Sequence, residues 1–197
     1  MNLIATLTQL FTGVQARWMG CKPEPEQRFY FANHTSHFDF LVLWAVLPDQ
    51  LRASTTAVGA ADYWTKTPVR RWLADKVFRV TLIERENVTR KNNPVTKLVS
   101  VLDQGRSLII FPEGGRTAEG EMQDFKSGIF HLAKSRPNVA LIPVYIDNAN
   151  RVLPKGEFLA LPLICSVTFG MPVRLEPDEP KQTFLERARL AVKECST

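Results

Sequence analysis

The sequence predicts an α/β fold, a single domain whose largely parallel or mixed sheet is flanked by helices. Short apolar segments alternate with helical patterns through most of the 197 residues, as in chains built from strand–helix–strand units. Two segments dense in reactive side chains each follow a predicted strand: Asn33-His34-Thr35-Ser36-His37-Phe38-Asp39 and Phe111-Pro112-Glu113-Gly114-Gly115-Arg116-Thr117. Open α/β sheets bind ligands at that end of their strands. A hydrophobic content of 45% with 23% charged residues fits one filled core, and no repeat, low-complexity tract or linker divides it.

The elements follow in order. Residues 1–20 carry Leu3, Ile4, Leu7, Leu10, Phe11, Val14 and Trp18 at helical spacing, with Asn2, Thr8, Gln9, Gln15 and Arg17 opposite. This amphipathic N-terminal helix can dock on the protein's own core or lie in a membrane surface. No stretch reaches the ~20 apolar residues of a bilayer span, and the N-terminus lacks a signal peptide's basic start and cleavage site. Residues 27–33 read as a strand, residues 37–47 as a helix stopped by Pro48, and residues 51–58 as a weaker strand. Thr67 and Pro68 open a helix as N-cap and first helical residue. Residues 78–83 form a strand leading to Glu84 and Arg85. Asn93 and Pro94 open a helix that ends at Gly105, and residues 107–111 are a continuous apolar strand. A helix over 127–135, strands over 139–146 and 163–169, and a closing helix over 183–192 complete the chain.

The net charge of +5 favours anionic partners. Nucleic acid is not expected, because neither zinc-finger spacing nor an RNP-like aromatic pattern occurs. The cysteines, Cys21, Cys165 and Cys195, are odd in number and form no CxxC pair, so a reduced, cytosol-facing protein is expected.

His34 and Asp39 can work as a dyad if the chain turns into a helix between them. A carboxylate fixes the tautomer of an imidazole and raises its basicity, so the other nitrogen can take a proton from an alcohol. The same spacing also suits a strand-end histidine satisfied by a helix N-terminus. His34, His37 and Asp39 could cluster on a metal, but no further ligand at suitable spacing supports that, and no metal is expected. The second segment is a glycine loop in which backbone N–H groups can approach an anion and Arg116 can grip a phosphate bidentately. It lacks the Gly-Lys-Ser/Thr of a Walker loop, and alone it could be a simple turn. A third cluster, Tyr63-Trp64-Thr65-Lys66 with Arg70-Arg71-Trp72, suits a bilayer surface or a coenzyme phosphate, or is a solvated helix face with tryptophans packed inward.

Together and in this order, the segments resemble the glycerolipid acyltransferase family, the 1-acylglycerol-3-phosphate acyltransferases. Asn33, His34 and Asp39 match its first block, residues 111–117 its third, and Arg85 after an apolar strand its second. Residues 140–144, with an interior Pro143, match its fourth, and residues 125–128 also look like the family. The resemblance covers roughly residues 27–170. Gly115 stands where the family has threonine, and Thr117 where it has serine. The resemblance implies a glycerol-3-phosphate acyltransferase-like fold, with residues 1–20 as an N-terminal helix and 21–197 as the acyltransferase domain. It implies direct acyl transfer from acyl-CoA or acyl carrier protein, without further cofactor, to the free hydroxyl of 1-acylglycerol-3-phosphate, giving phosphatidic acid; the alternatives are another lysolipid acceptor or a non-catalytic lipid-binding module. His34 and Asp39 would be catalytic. Arg85, Glu113, Gly114, Gly115 and Arg116 would bind the acceptor. Loop N–H groups near His34 would hold the oxyanion. The expected setting is the cytoplasmic face of a membrane, as a peripheral or monotopic protein.

Overall fold

The computed structural model describes residues 2–36, 38–85, 89, 92–116, 121–148 and 165–196. The elements are α1 (Leu3–Thr12), β1 (Gln15–Trp18), β2 (Arg28–Ala32), α2 (Phe38–Val46), α3 (Asp49–Ser54), β3 (Thr55–Ala60), α4 (Ala61–Trp64) and α5 (Pro68–Trp72), which runs into a π-helical segment, Leu73–Phe78. There follow β4 (Thr81–Ile83), α6 (Pro94–Asp103), β5 (Ser107–Ile110), α7 (Gly128–Ser135), β6 (Ala140–Asp147), β7 (Ser166–Phe169) and α8 (Lys181–Glu194).

The strands make one seven-stranded sheet in the order β1-β7-β6-β2-β5-β3-β4. It is mixed: β6, β2, β5, β3 and β4 run parallel, whereas β7 is antiparallel to β6 and carries β1 with it. Both faces are covered, as a parallel sheet requires. Alternation along β2 sends Phe29 and Phe31 toward α6, α7 and α8, and Tyr30 and Ala32 toward α1 and α2.

The cap residues behave as their chemistry dictates. The Thr67 hydroxyl accepts from the Arg70 N–H at 3.3 Å, and the Asn93 amide oxygen from the Val95 N–H at 2.9 Å. Pro143 sits inside β6 without loss. Its carbonyl accepts from the Gly170 N–H at 2.9 Å on the β7 side, beyond the β6–β7 ladder, so its missing donor falls there too and the β2 ladder is spared.

Three sequence expectations change. The N-terminal helix stops at Gly13, whose φ of 56° is left-handed, and residues 15–18 become an edge strand on β7 instead of two more helical turns. α1 packs on α2, burying Ala5, Thr8 and Thr12, while Leu3, Leu7, Leu10 and Phe11 stay exposed. Residues 51–54 belong to α3, started by Pro48, and the strand begins only at Thr55. The strand at 78–83 shrinks to β4, because Phe78 is drawn into the π-helical segment to pack edge-on against Phe40 and Trp44. Among the described residues, no helix is long and apolar enough to cross a membrane.

Candidate active site

β2 and β5 are parallel neighbours in the middle of the sheet, with Phe31 opposite Ile110. The two reactive segments therefore leave the carboxyl edge side by side. Asn33 ties the first down: its amide donates to the Ile146 carbonyl at 3.0 Å and accepts from the Ile146 N–H at 2.8 Å.

His34 Nδ1 lies 2.9 Å from Asp39 Oδ2. The same oxygen accepts from the backbone N–H groups of Thr35 at 2.6 Å and Ser36 at 2.8 Å. Asp39 is fully buried in the first turn of α2, where the helix dipole favours a carboxylate. Its Oδ1 is buried without a hydrogen-bond partner among the described residues. Phe111 stacks on the imidazole, with centroids 4.3 Å apart and planes 24° apart. The ring is thus held at Nδ1 and over one face, which leaves Nε2 as its unengaged nitrogen among the described residues.

Among the described residues, the loop N–H groups nearest His34, expected to hold an oxyanion, are already used. Those of Thr35 and Ser36 go to Asp39, and that of His34 goes to Glu113 Oε1 at 2.7 Å. Glu113 also accepts from the Gln123 N–H at 2.9 Å through Oε2, and is 2% exposed. Sequence reasoning assigned this carboxylate to the acceptor. The structure puts it behind the cleft, bracing the histidine loop to the glycine loop.

His34 opens onto a cleft of about 770 Å³. Its inner wall is apolar, built by Val58, Val80, Leu98, Ile129 and Leu132, and its mouth carries Arg85, Arg116 and Lys126. Gly114 has φ +72°, and a Cβ there would sit 3.3 Å from the Lys126 side chain, so glycine lets that lysine cross the loop. Gly115 also lines the cleft. Arg116 has no hydrogen bond or ion pair among the described residues. Arg85 is engaged: it donates to both oxygens of Asp62 at 3.3 and 2.7 Å, and to the Gly114 carbonyl at 3.0 Å. Hydrogen bonding from Arg85 holds the Asp62 carboxyl below its usual range. Asp62 and Lys126 were not picked out as binding residues from sequence. Lys126 lies in the 125–128 segment, which was the available signal; nothing marked Asp62.

No cysteine lines this cleft, although Cys165 lies near enough to Asp39 to feel its charge. Burial pushes the thiols of Cys165 and Cys195 up to about 11 and raises that of Cys21. Thr117 and His37 lie outside the described residues. Among the described residues, no three His, Cys, Asp or Glu side chains are grouped to hold a metal ion.

Residues 22–147 match the Acyltransferase family. A 1-acyl-sn-glycerol-3-phosphate acyltransferase from Limnanthes douglasii is 25% identical over 180 residues, covering 89% of this chain and 60% of that protein. The mouse 1-acyl-sn-glycerol-3-phosphate acyltransferase alpha is 27% identical over 186 residues, covering 91% and 63%. The chain therefore spans less than two thirds of either relative. The crystal structure of the 1-acyl-sn-glycerophosphate acyltransferase PlsC from Thermotoga maritima superposes with a TM-score of 0.72, covering 98% of this chain and 78% of that one. At 18% identity, that likeness concerns the fold.

Proposed function

The chain belongs to the acyltransferase family, and we propose that it moves an acyl group from a thioester to the free hydroxyl of 1-acylglycerol-3-phosphate, giving phosphatidic acid. The observation that carries this reading is the His34–Asp39 pair at 2.9 Å, opening on a cleft with an apolar wall and a cationic mouth. The wall suits an acyl chain, the mouth a phosphate monoester.

His34 Nε2 takes the hydroxyl proton as the acceptor oxygen attacks the thioester carbonyl. The C–S bond then breaks, and the thiol leaves with the proton carried by the imidazolium. The ester forms without an acyl-enzyme. Asp39 holds the ring and stabilises its charged form. Arg116, Lys126 and the engaged Arg85 hold the acceptor phosphate, while Glu113 keeps the histidine loop in register.

Acyl-CoA or acyl carrier protein serves as donor. Arg70, stacked over Tyr63 at 4.4 Å beside the cleft, suits an anionic headgroup at the membrane surface. The protein works at the cytoplasmic face of a membrane, and the exposed stripe Leu3, Leu7, Leu10 and Phe11 supports a peripheral attachment.

The test is an acyl-transfer assay of purified protein against a panel of lysolipids, with both donors. Phosphatidic acid formation that fails in His34→Ala is the expected result. Transfer confined to acceptors without a phosphate monoester would overturn the acceptor assignment.

A further inference from the structure

A second cleft, of about 500 Å³, lies at the opposite edge of the sheet. Its lining includes Thr55 at the start of β3 and Arg106 just before β5, the amino ends of strands whose carboxyl ends face the first cleft. Four cations meet there, Arg52, Lys76, Arg79 and Arg106, against one lining acid, Asp49. Arg52 and Asp49 form an ion pair; Arg52 also donates to the Ala45 carbonyl at 3.0 Å and lies over the Trp44 ring at 5.4 Å. That pair is a neutral wall. Among the described residues, Lys76 and Arg79 have no acidic partner, and the Arg106 side chain makes only a long contact, 3.4 Å, to the Thr55 carbonyl.

Three uncompensated positive charges in one concavity repel each other, a cost that a bound anion removes. The backbone supporting them is also unusual. Lys76 sits in the π-helical segment, a geometry frequent at functional sites, and Arg79 ends it with φ 50°, a left-handed conformation that non-glycine residues seldom adopt. The Thr56 hydroxyl donates to the Arg79 carbonyl and fixes that turn.

We propose that this cleft is a second binding site, separate from the first, for a phosphate-bearing anion. Two guanidinium forks and an ammonium match the several oxygens of a phosphate better than a single carboxylate. The volume leaves room for more than the phosphate itself. The source is a lipid headgroup or a soluble phosphate ester. Asn2 lines the cleft and the next residue, Leu3, is 72% exposed, at the head of the apolar stripe of α1. A headgroup seated here would leave its chains beside that stripe.

The test does not depend on the acyltransfer reaction. Sedimentation with vesicles containing phosphatidylglycerol is compared with vesicles of phosphatidylcholine alone, and calorimetric titration with inorganic pyrophosphate supplies the soluble arm. The variants are Lys76→Gln/Arg79→Asn/Arg106→Gln, with asparagine chosen because it tolerates left-handed backbone, and a control with the same charge change, Lys97→Gln/Lys134→Gln/Lys193→Gln. Circular dichroism checks folding. At low salt the first variant should bind its anion at least about tenfold more weakly, and the control should bind nearly as the wild type does. Vesicle binding that pyrophosphate does not compete away assigns the lipid source; pyrophosphate binding lost in the first variant assigns the soluble one. In the unsubstituted protein, anion should protect Lys76 but not Lys97 from amine acetylation, which keeps the site testable if the variant misfolds. Equal losses in both variants, or no binding in either arm with no protection of Lys76, would overturn the proposal.

Discussion

Glu113 Oε1 accepts the backbone N–H of His34 at 2.7 Å, across 79 residues of sequence. One loop's carboxylate thus fixes the backbone of the other loop's histidine. Glu113→Gln keeps the shape, but its amide nitrogen cannot accept, so either the His34 or the Gln123 N–H loses its partner. Buried bonds to a charged acceptor are each worth about 1.5–3 kcal/mol. Urea denaturation should show a loss of that order. Steady-state kinetics should show kcat falling with little change in acceptor KM, because the brace acts on the base. A variant of normal stability with only KM raised would return Glu113 to the acceptor.

The dyad makes a sharper demand. His34→Ala should lower kcat by about 10²-fold or more, the usual contribution of a general base. Asp39→Asn should lose less, since it keeps the shape and removes the charge that the Thr35 and Ser36 N–H groups and the imidazole share. Near-normal turnover in His34→Ala would remove the dyad from the mechanism.

Arg116 and Arg85 differ in what a ligand must displace. Arg116 is unengaged among the described residues, so Arg116→Ala should reduce kcat/KM about ten- to hundredfold, the loss of one charge-assisted contact of about 1.5–3 kcal/mol. Arg116→Lys should recover little of it, because an ammonium offers no fork. Arg85 is held by Asp62, so Asp62→Asn should change acceptor KM while leaving kcat nearly fixed. An unchanged KM would mean that Arg85 does not reach the acceptor.

A pH-dependent contribution to stability is expected from Glu179 and Arg187. Arg187 donates to both Glu179 oxygens, at 2.9 and 2.7 Å, and this holds the Glu179 carboxyl below its usual range. A folded-state value below the unfolded one stabilises the protein above the ordinary carboxylate range. That stabilisation disappears as pH falls through the lowered value. Arg187 is 36% exposed, so solvent screening limits the effect to about 1 kcal/mol. Thermal melts of wild type and Arg187→Gln should differ at pH 7 and converge in acid. A gap that widened in acid would reverse this assignment.

Membrane attachment is best tested without deleting residues 1–20, since α1 buries Ala5 against the core and β1 is a strand of the sheet. Leu3→Ser/Leu7→Ser/Leu10→Ser strips only the exposed stripe and should weaken liposome binding in low and high salt alike. Neutralising Lys66, Arg70 and Arg71 should weaken it in low salt only, at about 1 kcal/mol per charge, and spare activity on detergent-dispersed substrate. Loss of detergent activity in that second variant would place the cluster on the donor instead.

The sequence by itself determined most of the local elements and the pairing of His34 with Asp39. Periodicity and caps fix a helix such as α6, where Asn93, Pro94 and Gly105 act within a turn or two of chain. His34 and Asp39 are close enough in sequence that one turn into α2 joins them. The helix expected to continue past Gly13 illustrates the limit. Val14 and Trp18 fit its period, but pairing with β7 satisfies backbone groups that no local pattern reveals. The same holds for the site. Glu113 could be read as a ligand group until the β2–β5 pairing brought it under His34, and Asp62 carried no motif at all. Only the tertiary structure decided these, because hydrogen-bond partners far apart in sequence are chosen by which strands lie side by side.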